Sequence, residues 1–285
     1  MKSLVWFITG ASRGFGLEIA RAALERGDAV VAAARDPQVV ERALGRREQL
    51  LTVELDVTDE RQAQAAVKAA LTRFGQIDVL VNNAGRGLLG AIEEASAEEV
   101  RSVFAVNVDG LLNVTRAVLP SMRERRSGRI LNLSSVGGFG AWPGWGVYCA
   151  TKFAVEGLSE ALHAELLPLG IRVTVIEPGT FRTDFLDASS LRRVARVIGE
   201  YSGSSGTARQ WADATNHDQL GDPVKGAAAI VAVATSPEPP LRLQLGTDSL
   251  ARVEAKLAQV AAELAAWRTL AESTDRDQAA PVWTA

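Results

Sequence analysis

Seven short, nearly continuous apolar runs, separated by longer amphipathic stretches, constrain this chain more than any other feature. They are "LVWFIT" (4–9), "AVVAAA" (29–34), "LLTVEL" (50–55), "IDVLVN" (77–82), "RILNLS" (129–134), "IRVTVIE" (171–177) and "LRLQL" (241–245). A strand with one wet face alternates polar and apolar residues. A run that is apolar at almost every position belongs to a strand covered on both faces, the condition of a parallel sheet. Between the runs, "GLEIARAALERG", "DERQAQAAVKAALTRFG" and "SAEEVRSVFAVNVDGLLNVTRAVLPSMRER" read as helices. The second has Thr58 or Asp59 as its N-cap and Gly75 as its C-cap. Strand, helix and strand in repetition, with right-handed crossovers, predict a doubly wound α/β fold: a seven-stranded parallel sheet with helices on both faces.

Two regions depart from this rhythm. Residues 184–221 contain "YSGSSGTARQ" and few apolar periods, so they read as a long, mobile excursion. After Gly246 the chain continues as an alanine-rich helix, "SLARVEAKLAQVAAELAAWRTLAE", and then a polar tail expected to fray, together residues 247–285. No repeat or linker divides the chain, so 1–285 is expected to form a single domain.

The composition, 47% hydrophobic and 23% charged with a net charge of −3, is that of a soluble globular protein. It offers no broad basic field for nucleic acid or anionic membrane. The one basic cluster, "RERRSGR" from Arg123 to Arg129, fits a helix C-terminus, where cations oppose the dipole. Cys149 is the sole cysteine and cannot form an internal disulfide, in keeping with a reducing compartment. The opening "MKSLVWFITG" lacks the core and cleavage region of a signal peptide. No stretch approaches the 18 or so apolar residues of a membrane span. A cytoplasmic protein is the expectation.

Directly after the first run comes "TGASRGFG", Thr9 to Gly16, leading into a helix. Gly10, Gly14 and Gly16 permit a tight turn and bring backbone N–H groups up to a pyrophosphate at the helix N-terminus, with Ser12, Arg13 and Phe15 between them. With this TGxxxGxG spacing the sequence resembles the short-chain dehydrogenase/reductase family, and the likeness continues through roughly residues 4 to 183. The resemblance implies a Rossmann-type catalytic domain that binds a nicotinamide cofactor. At the end of the second run, where an acidic residue would select NAD, stand Ala34 and Arg35. Arg35 and Arg13 together suit a 2′-phosphate, since guanidinium groups bind phosphate in forked pairs. NADP(H) is therefore the expected cofactor. The family likeness further places Asp56 and Val57 at the adenine, the "NNAG" segment with Asn83, Ala84 and Gly85 beside the adenine ribose, and Pro178, Gly179 and Thr183 over the nicotinamide.

Tyr148 and Lys152 lie four residues apart and share one helix face. A free phenol titrates near pH 10, and a fixed ammonium beside it is expected to lower that value toward useful proton transfer. In the family such a lysine also binds the nicotinamide ribose. Ser135, thirteen residues before Tyr148, matches the family's catalytic serine and is chosen over Ser134. Asn107, costly inside an apolar helix without a partner, matches the asparagine that steadies a water in the family's proton relay. His163 and His217 lie in separate segments, and no Cys, His or carboxylate cluster has metal-ligand spacing, so no metal is expected.

The resemblance implies interconversion of a ketone and a secondary alcohol by hydride transfer, with Tyr148 as acid and base. The glycine turn, "RDP" after the second run and the extended C-terminus look most like the 17β-hydroxysteroid-dehydrogenase-like branch. Trp142 and Trp145, between Ser135 and Tyr148, point to bulky apolar or aromatic substrates. Phe185 and Trp211 join them from the excursion, which in the family forms a substrate lid. Two alternatives stand beside this: a 3-oxoacyl-carrier-protein-type reductase that docks its acidic carrier on Arg123 to Arg129, and a non-catalytic NADPH-binding sensor. Family members assemble as homodimers or homotetramers.

Overall fold

The computed structural model describes residues 3–276, and every apolar run becomes a strand of one sheet. The first half of the chain contains β1 (Val5–Thr9), α1 (Gly14–Glu25), β2 (Ala29–Ala34), α2 (Pro37–Leu44) and β3 (Leu50–Glu54). It continues with α3 (Glu60–Phe74), β4 (Val79–Asn82), β5 (Gly87–Leu89), α4 (Ala97–Phe104) and α5 (Gly110–Arg125). The second half has β6 (Gly128–Leu133), α6 (Gly146–Leu166), β7 (Ile171–Pro178) and β8 (Leu191–Arg193). It ends with α7 (Thr207–Thr215), α8 (Pro223–Thr235), β9 (Arg242–Leu245) and α9 (Thr247–Glu272). The main sheet is parallel throughout, in the order β3-β2-β1-β4-β6-β7-β9. The order reverses beside β1, and ligands of open α/β sheets bind at such a point, outside the carboxyl ends of the strands.

Neighbouring residues of β1 show why its run has no polar member. Trp6 packs with α1, α2 and α8 on one face, Phe7 with α3, α5 and α6 on the other, and both are fully buried. The indole N–H of Trp6 donates to Asp28 at 2.8 Å, so the one polar atom of that side chain is satisfied. Asp59, not Thr58, caps α3 by accepting from the amides of Arg61 and Gln62, and Gly75 closes the helix at φ 76°.

The stretch 96–125 is not one regular helix. A π-type turn, Ala105–Asp109, separates α4 from α5, and Gly110 follows it where a Cβ would lie 2.5 Å from Val57. This stretch is long and apolar enough to cross a membrane, against expectation, but its apolar face (Val103, Leu111, Val114, Val118 and Met122) is buried in the domain.

The larger correction concerns 184–221. The excursion contains β8, which pairs in parallel with β5, and α7, with Leu191, Val194 and Ala212 buried. Its order comes from acidic residues elsewhere. Glu94 accepts from the Ile198 amide at 2.8 Å and pairs with Arg209 at 2.8 Å, Glu99 accepts from the Ala195 amide, and Tyr201 donates to Glu93. The excursion is built by long-range polar contacts, which an apolar periodicity does not record.

The start of α9 is fixed to the sheet. Asp248 accepts from both the amide and the hydroxyl of Thr180, and Ser249 donates to the Glu177 carbonyl. Farther on, Leu257, Val260, Leu264 and Trp267 are exposed in steps of three and four, the spacing of one helix stripe. The polar tail expected to fray extends beyond the described residues.

Candidate active site

The carboxyl ends of β1, β2, β4, β6 and β7 open into a cavity of about 780 Å³, which contains residues from every motif singled out in the sequence. Its floor is the glycine turn. Gly10 and Gly14 have φ of 65° and 54°, a region that side chains disfavour. Gly16 approaches so closely that a Cβ there would lie 2.3 Å from the Gly10 carbonyl oxygen. Asn83 ties this turn to β4 by donating to the carbonyls of Thr9 and Gly10, while the Thr9 hydroxyl accepts from the amides of Asn83 and Ala84. Asn82 is a sheet residue, donating to Thr115 and Asn132. Ser12 and Gly85 line the same floor. This cradle, closed to any side chain at Gly16, fits a pyrophosphate at a helix N-terminus.

Both arginines of the expected phosphate pocket line the cavity, each with neighbours of its own. Arg13 lines the cavity, but its guanidinium reaches across to the Ser189 carbonyl and the Ser190 hydroxyl, at 3.0 and 2.8 Å. The excursion brings those acceptors close, so a phosphate would have to compete with them. Arg35 instead faces Arg86, a residue the sequence reading missed. Burial lowers the pKa of Arg86, and the nearby charges of Arg35 and Arg192 lower it further. Asp56 is the acid of this group. Its burial opposes ionisation, but hydrogen bonds from Thr58 and the charges of Arg35 and Arg86 hold its pKa below the usual value. Val57 lines the cavity beside it. Phe15 turns its ring onto Phe181, 4.9 Å between centroids, and so packs the sheet face.

At the other end, β6 terminates in Ser134 and Ser135. The Ser135 hydroxyl accepts from the Gly137 amide at 3.0 Å and hydrogen-bonds Tyr148. Ser134 lies against Glu156, at the place where a Cβ on Gly138 would meet both. Tyr148 and Lys152 are buried on one face of α6, with the Lys152 ammonium 5.8 Å from the centre of the phenol ring. The expected tuning is reversed. Burial pushes the Tyr148 phenol well above its ordinary value, and Ser135 opposes that only in part. Burial also lowers Lys152 to about 8, with Glu156 acting in the opposite direction. The Lys152 ammonium donates to the Leu133 carbonyl at 2.7 Å and keeps further donors. Asn107 sits in the π-type turn with its side chain fully used by protein. It accepts from the Arg86 amide and donates to the Arg86 carbonyl and to Thr151. The partners of its buried side chain are thus the Arg86 peptide and Thr151.

Thr183 stands 3.5 Å from the place of a Cβ on Gly14, and Pro178, the last residue of β7, and Gly179 after it line the same cavity. All four aromatics named from sequence line the cavity. Trp145 and Phe185 flank the Tyr148 ring at 5.9 and 5.4 Å, Trp211 meets Trp145 at 6.4 Å, and Trp142 lies under Arg252 of α9. Cys149, next to the tyrosine, is buried and its thiol is pushed up to about 11, so it is a packing residue.

A family model described as "short chain dehydrogenase" matches residues 4–193, which contain the glycine turn, Ser135, Tyr148 and Lys152. The chain belongs to the short-chain dehydrogenase/reductase family. "Oxidoreductase BOA17" of Botryotinia fuckeliana is 38% identical, covering 93% of this chain and 97% of that protein. A "3-ketodihydrosphingosine reductase" of Bacteroides thetaiotaomicron is 37% identical over 86% and 89% of the two chains. A solved short-chain dehydrogenase from Streptomyces avermitilis superposes with a TM-score of 0.90 at 40% identity, covering 96% of this chain and 99% of that one. This short-chain dehydrogenase also has polar groups around the site that no motif announces. Glu156 follows Lys152 by one helical turn, and Glu177, fully buried, is raised to about 7 by desolvation. Asp184, Asp187 and His217 converge within 4.8 Å, a grouping their separation in sequence concealed, and His217 pairs with Asp187 at 3.1 Å. Their signal lies in tertiary proximity alone.

Proposed function

We propose that this short-chain dehydrogenase is an NADP(H)-dependent oxidoreductase that interconverts a bulky apolar or aromatic ketone and its secondary alcohol. The observation that carries this reading is Tyr148, buried between Trp145 and Phe185 with Ser135 and Lys152 beside it. The cofactor, when bound, supplies or accepts the hydride, and the protein provides position and proton. A phenol that burial keeps protonated is in the form needed to donate to a developing alkoxide. Ser135 orients the carbonyl oxygen against that phenol, and the Lys152 ammonium offers its remaining donors to ribose hydroxyls. NADP(H) is favoured by Arg35, Arg86 and Arg192, which gather with Asp56 as the acid among them and leave positive charge for a 2′-phosphate.

The likeness to the 17β-hydroxysteroid-dehydrogenase-like branch does not assign a steroid substrate. Reduction of a 3-oxoacyl group is a second reading, favoured by the names of two relatives, the ketodihydrosphingosine reductase and a solved 3-ketoacyl-carrier reductase from Brucella melitensis that is 31% identical. The basic cluster does not support carrier docking. Arg125 and Arg126 donate to the Ile77 and Pro168 carbonyls, and the cluster lies where β6 begins, at the end of the sheet opposite the cavity. A non-catalytic sensor would not need the complete set of Ser135, Tyr148 and Lys152. Assembly as a homodimer or homotetramer belongs to the same proposal, supported by the exposed stripe of α9.

The test follows NADPH and NADH oxidation against ketones graded by size and polarity, with Tyr148→Phe as the control. Turnover should fall by more than a hundredfold in that variant while NADPH affinity is retained. Full activity in the variant, or a preference for NADH, would overturn the corresponding part of the proposal.

A further inference from the structure

The proposed redox chemistry uses the sheet end of the cavity, and two further lining side chains have no part in it. Arg252 lies one turn beyond Asp248 on α9, lines the cavity, and stacks its guanidinium over the Trp142 ring at 4.6 Å. Among the described residues it has no carboxylate partner, whereas Arg209 and Arg242 are each paired with glutamate. Gln219 lines the same cavity and is only 8% exposed. Both polar atoms of its amide are buried without a hydrogen-bond partner. A buried amide with neither its donor nor its acceptor satisfied is costly, and native structures keep such groups where a ligand or water completes them.

The fold carries these two residues on segments tied to the same place. Gly221, two residues beyond Gln219, donates its amide to the Thr180 carbonyl and accepts from the Arg182 amide, both at 2.8 Å. Thr180 in turn donates its amide and hydroxyl to Asp248, which fixes the first turn of α9. The anchor for both segments is therefore Thr180, just past the end of β7. Trp142 adds a flat apolar face beneath the cation, and Trp145 and Trp211 continue that wall toward Tyr148.

We infer that Arg252 and Gln219 form a subsite for a carboxylate on the substrate, so that the preferred ketone has an apolar body with an anionic group at the end away from its carbonyl. This rests on the ketone-reductase reading above. Arg252 presents a planar fork that matches the two carboxylate oxygens, and its stacking on Trp142 holds that fork at the cavity mouth. Gln219 donates from Nε2 to an oxygen of the substrate and accepts at Oε1 from a hydroxyl or amide N–H. A neutral ester would forgo the charge pairing with Arg252, an exposed side chain, and offer Gln219 a weaker acceptor, so the site favours the acid.

The probes are 4-acetylbenzoate and its methyl ester, matched in body and different in charge. With NADPH saturating, Arg252→Met should lower the acid-to-ester ratio of kcat/KM by about 10- to 100-fold, mostly through KM for the acid. Gln219→Leu should lower the same ratio by about 5-fold, with the NADPH dissociation constant unchanged. A ratio that stays within twofold of the wild type in Arg252→Met would overturn the subsite and leave Arg252 as a support for Trp142. A loss of NADPH affinity in Gln219→Leu would overturn the assignment of that residue by giving it to the cofactor. Quenching of tryptophan fluorescence by 4-acetylbenzoate, without cofactor, reads the carboxylate site even if no ketone is reduced. Saturation that weakens in Arg252→Met supports the subsite whatever the redox outcome, and equal saturation in both proteins refutes it.

Discussion

Replacing Glu94 with glutamine should loosen the segment 194–215 while leaving the sheet intact. Glu94 is 1% exposed and accepts from the Ala91 amide at 2.7 Å, the Ile198 amide at 2.8 Å and Arg209 at 2.8 Å. These partners, Arg209 foremost, hold its carboxyl at about 2 instead of the ordinary 4.5. At ~1.4 kcal/mol per tenfold, that difference is worth about 3 kcal/mol. The carboxylate is inaccessible but thinly covered, so screening brings the usable figure down to about 1–2 kcal/mol. Glutamine has a similar shape but sets an N–H group against other donors and leaves Arg209, 16% exposed, without its counter-charge. The added cost brings the expected loss to about 2–3 kcal/mol, or roughly 30- to 150-fold more frequent opening of 194–215. Amide hydrogen exchange at Ile198 measures this directly, and KM for a bulky ketone should rise with it. The pH dependence has a fixed sign. A depressed carboxyl contributes its stability above the unfolded value and loses it as pH falls from 4.5 toward 2, so wild-type protection should collapse in that window. The glutamine variant should show no such step. Exchange at Ile198 within threefold of the wild type would refute the argument.

Gly16→Ala should abolish tight cofactor binding and lower stability by about 1–3 kcal/mol, because its Cβ would lie 2.3 Å from the Gly10 carbonyl and 2.5 Å from Asn83; calorimetric titration and urea unfolding read the two effects. Lys152, lowered to about 8 by burial, should lose its charge above that pH in the free enzyme. The reductive kcat/KM should then decline on the alkaline side. Global stability should gain a rising contribution between pH 8 and 10.5, absent in Lys152→Met, because the unfolded lysine holds its proton longer than the folded one. Leu264→Glu, on the exposed face of α9, should shift the proposed assembly toward smaller species in light scattering without changing the circular dichroism spectrum of the fold.

The strands were legible because burial on both faces leaves a mark at every position, and β1 has no polar residue from Val5 to Ile8 for that reason. The helix ends at Asp59 and Gly75 were legible because capping is local. The turn at Gly10, Gly14 and Gly16, together with the spacing of Ser135, Tyr148 and Lys152, determined the family and the end of the sheet where the site lies. These features depend on neighbours within a few residues or on a fixed order of strands, and a linear sequence records both.

Tertiary structure decided where the long polar side chains find partners. Arg13 stands in the glycine turn, and the chain returns 176 residues later with the Ser189 carbonyl to meet it. Arg86 became a neighbour of Arg35 only through the packing of β4 beside β1 and β2 beyond it. Glu94 and Arg209 are 115 residues apart, and neither stands in a pattern that would announce the pair. The pKa of Tyr148 followed depth, since loss of water around the phenol outweighs the hydrogen bond with Ser135. Apolar burial is additive and non-directional, so composition along the chain can encode it. Hydrogen bonds and ion pairs depend on ångström-scale placement of groups from distant segments, and that placement exists only once the chain has closed around them.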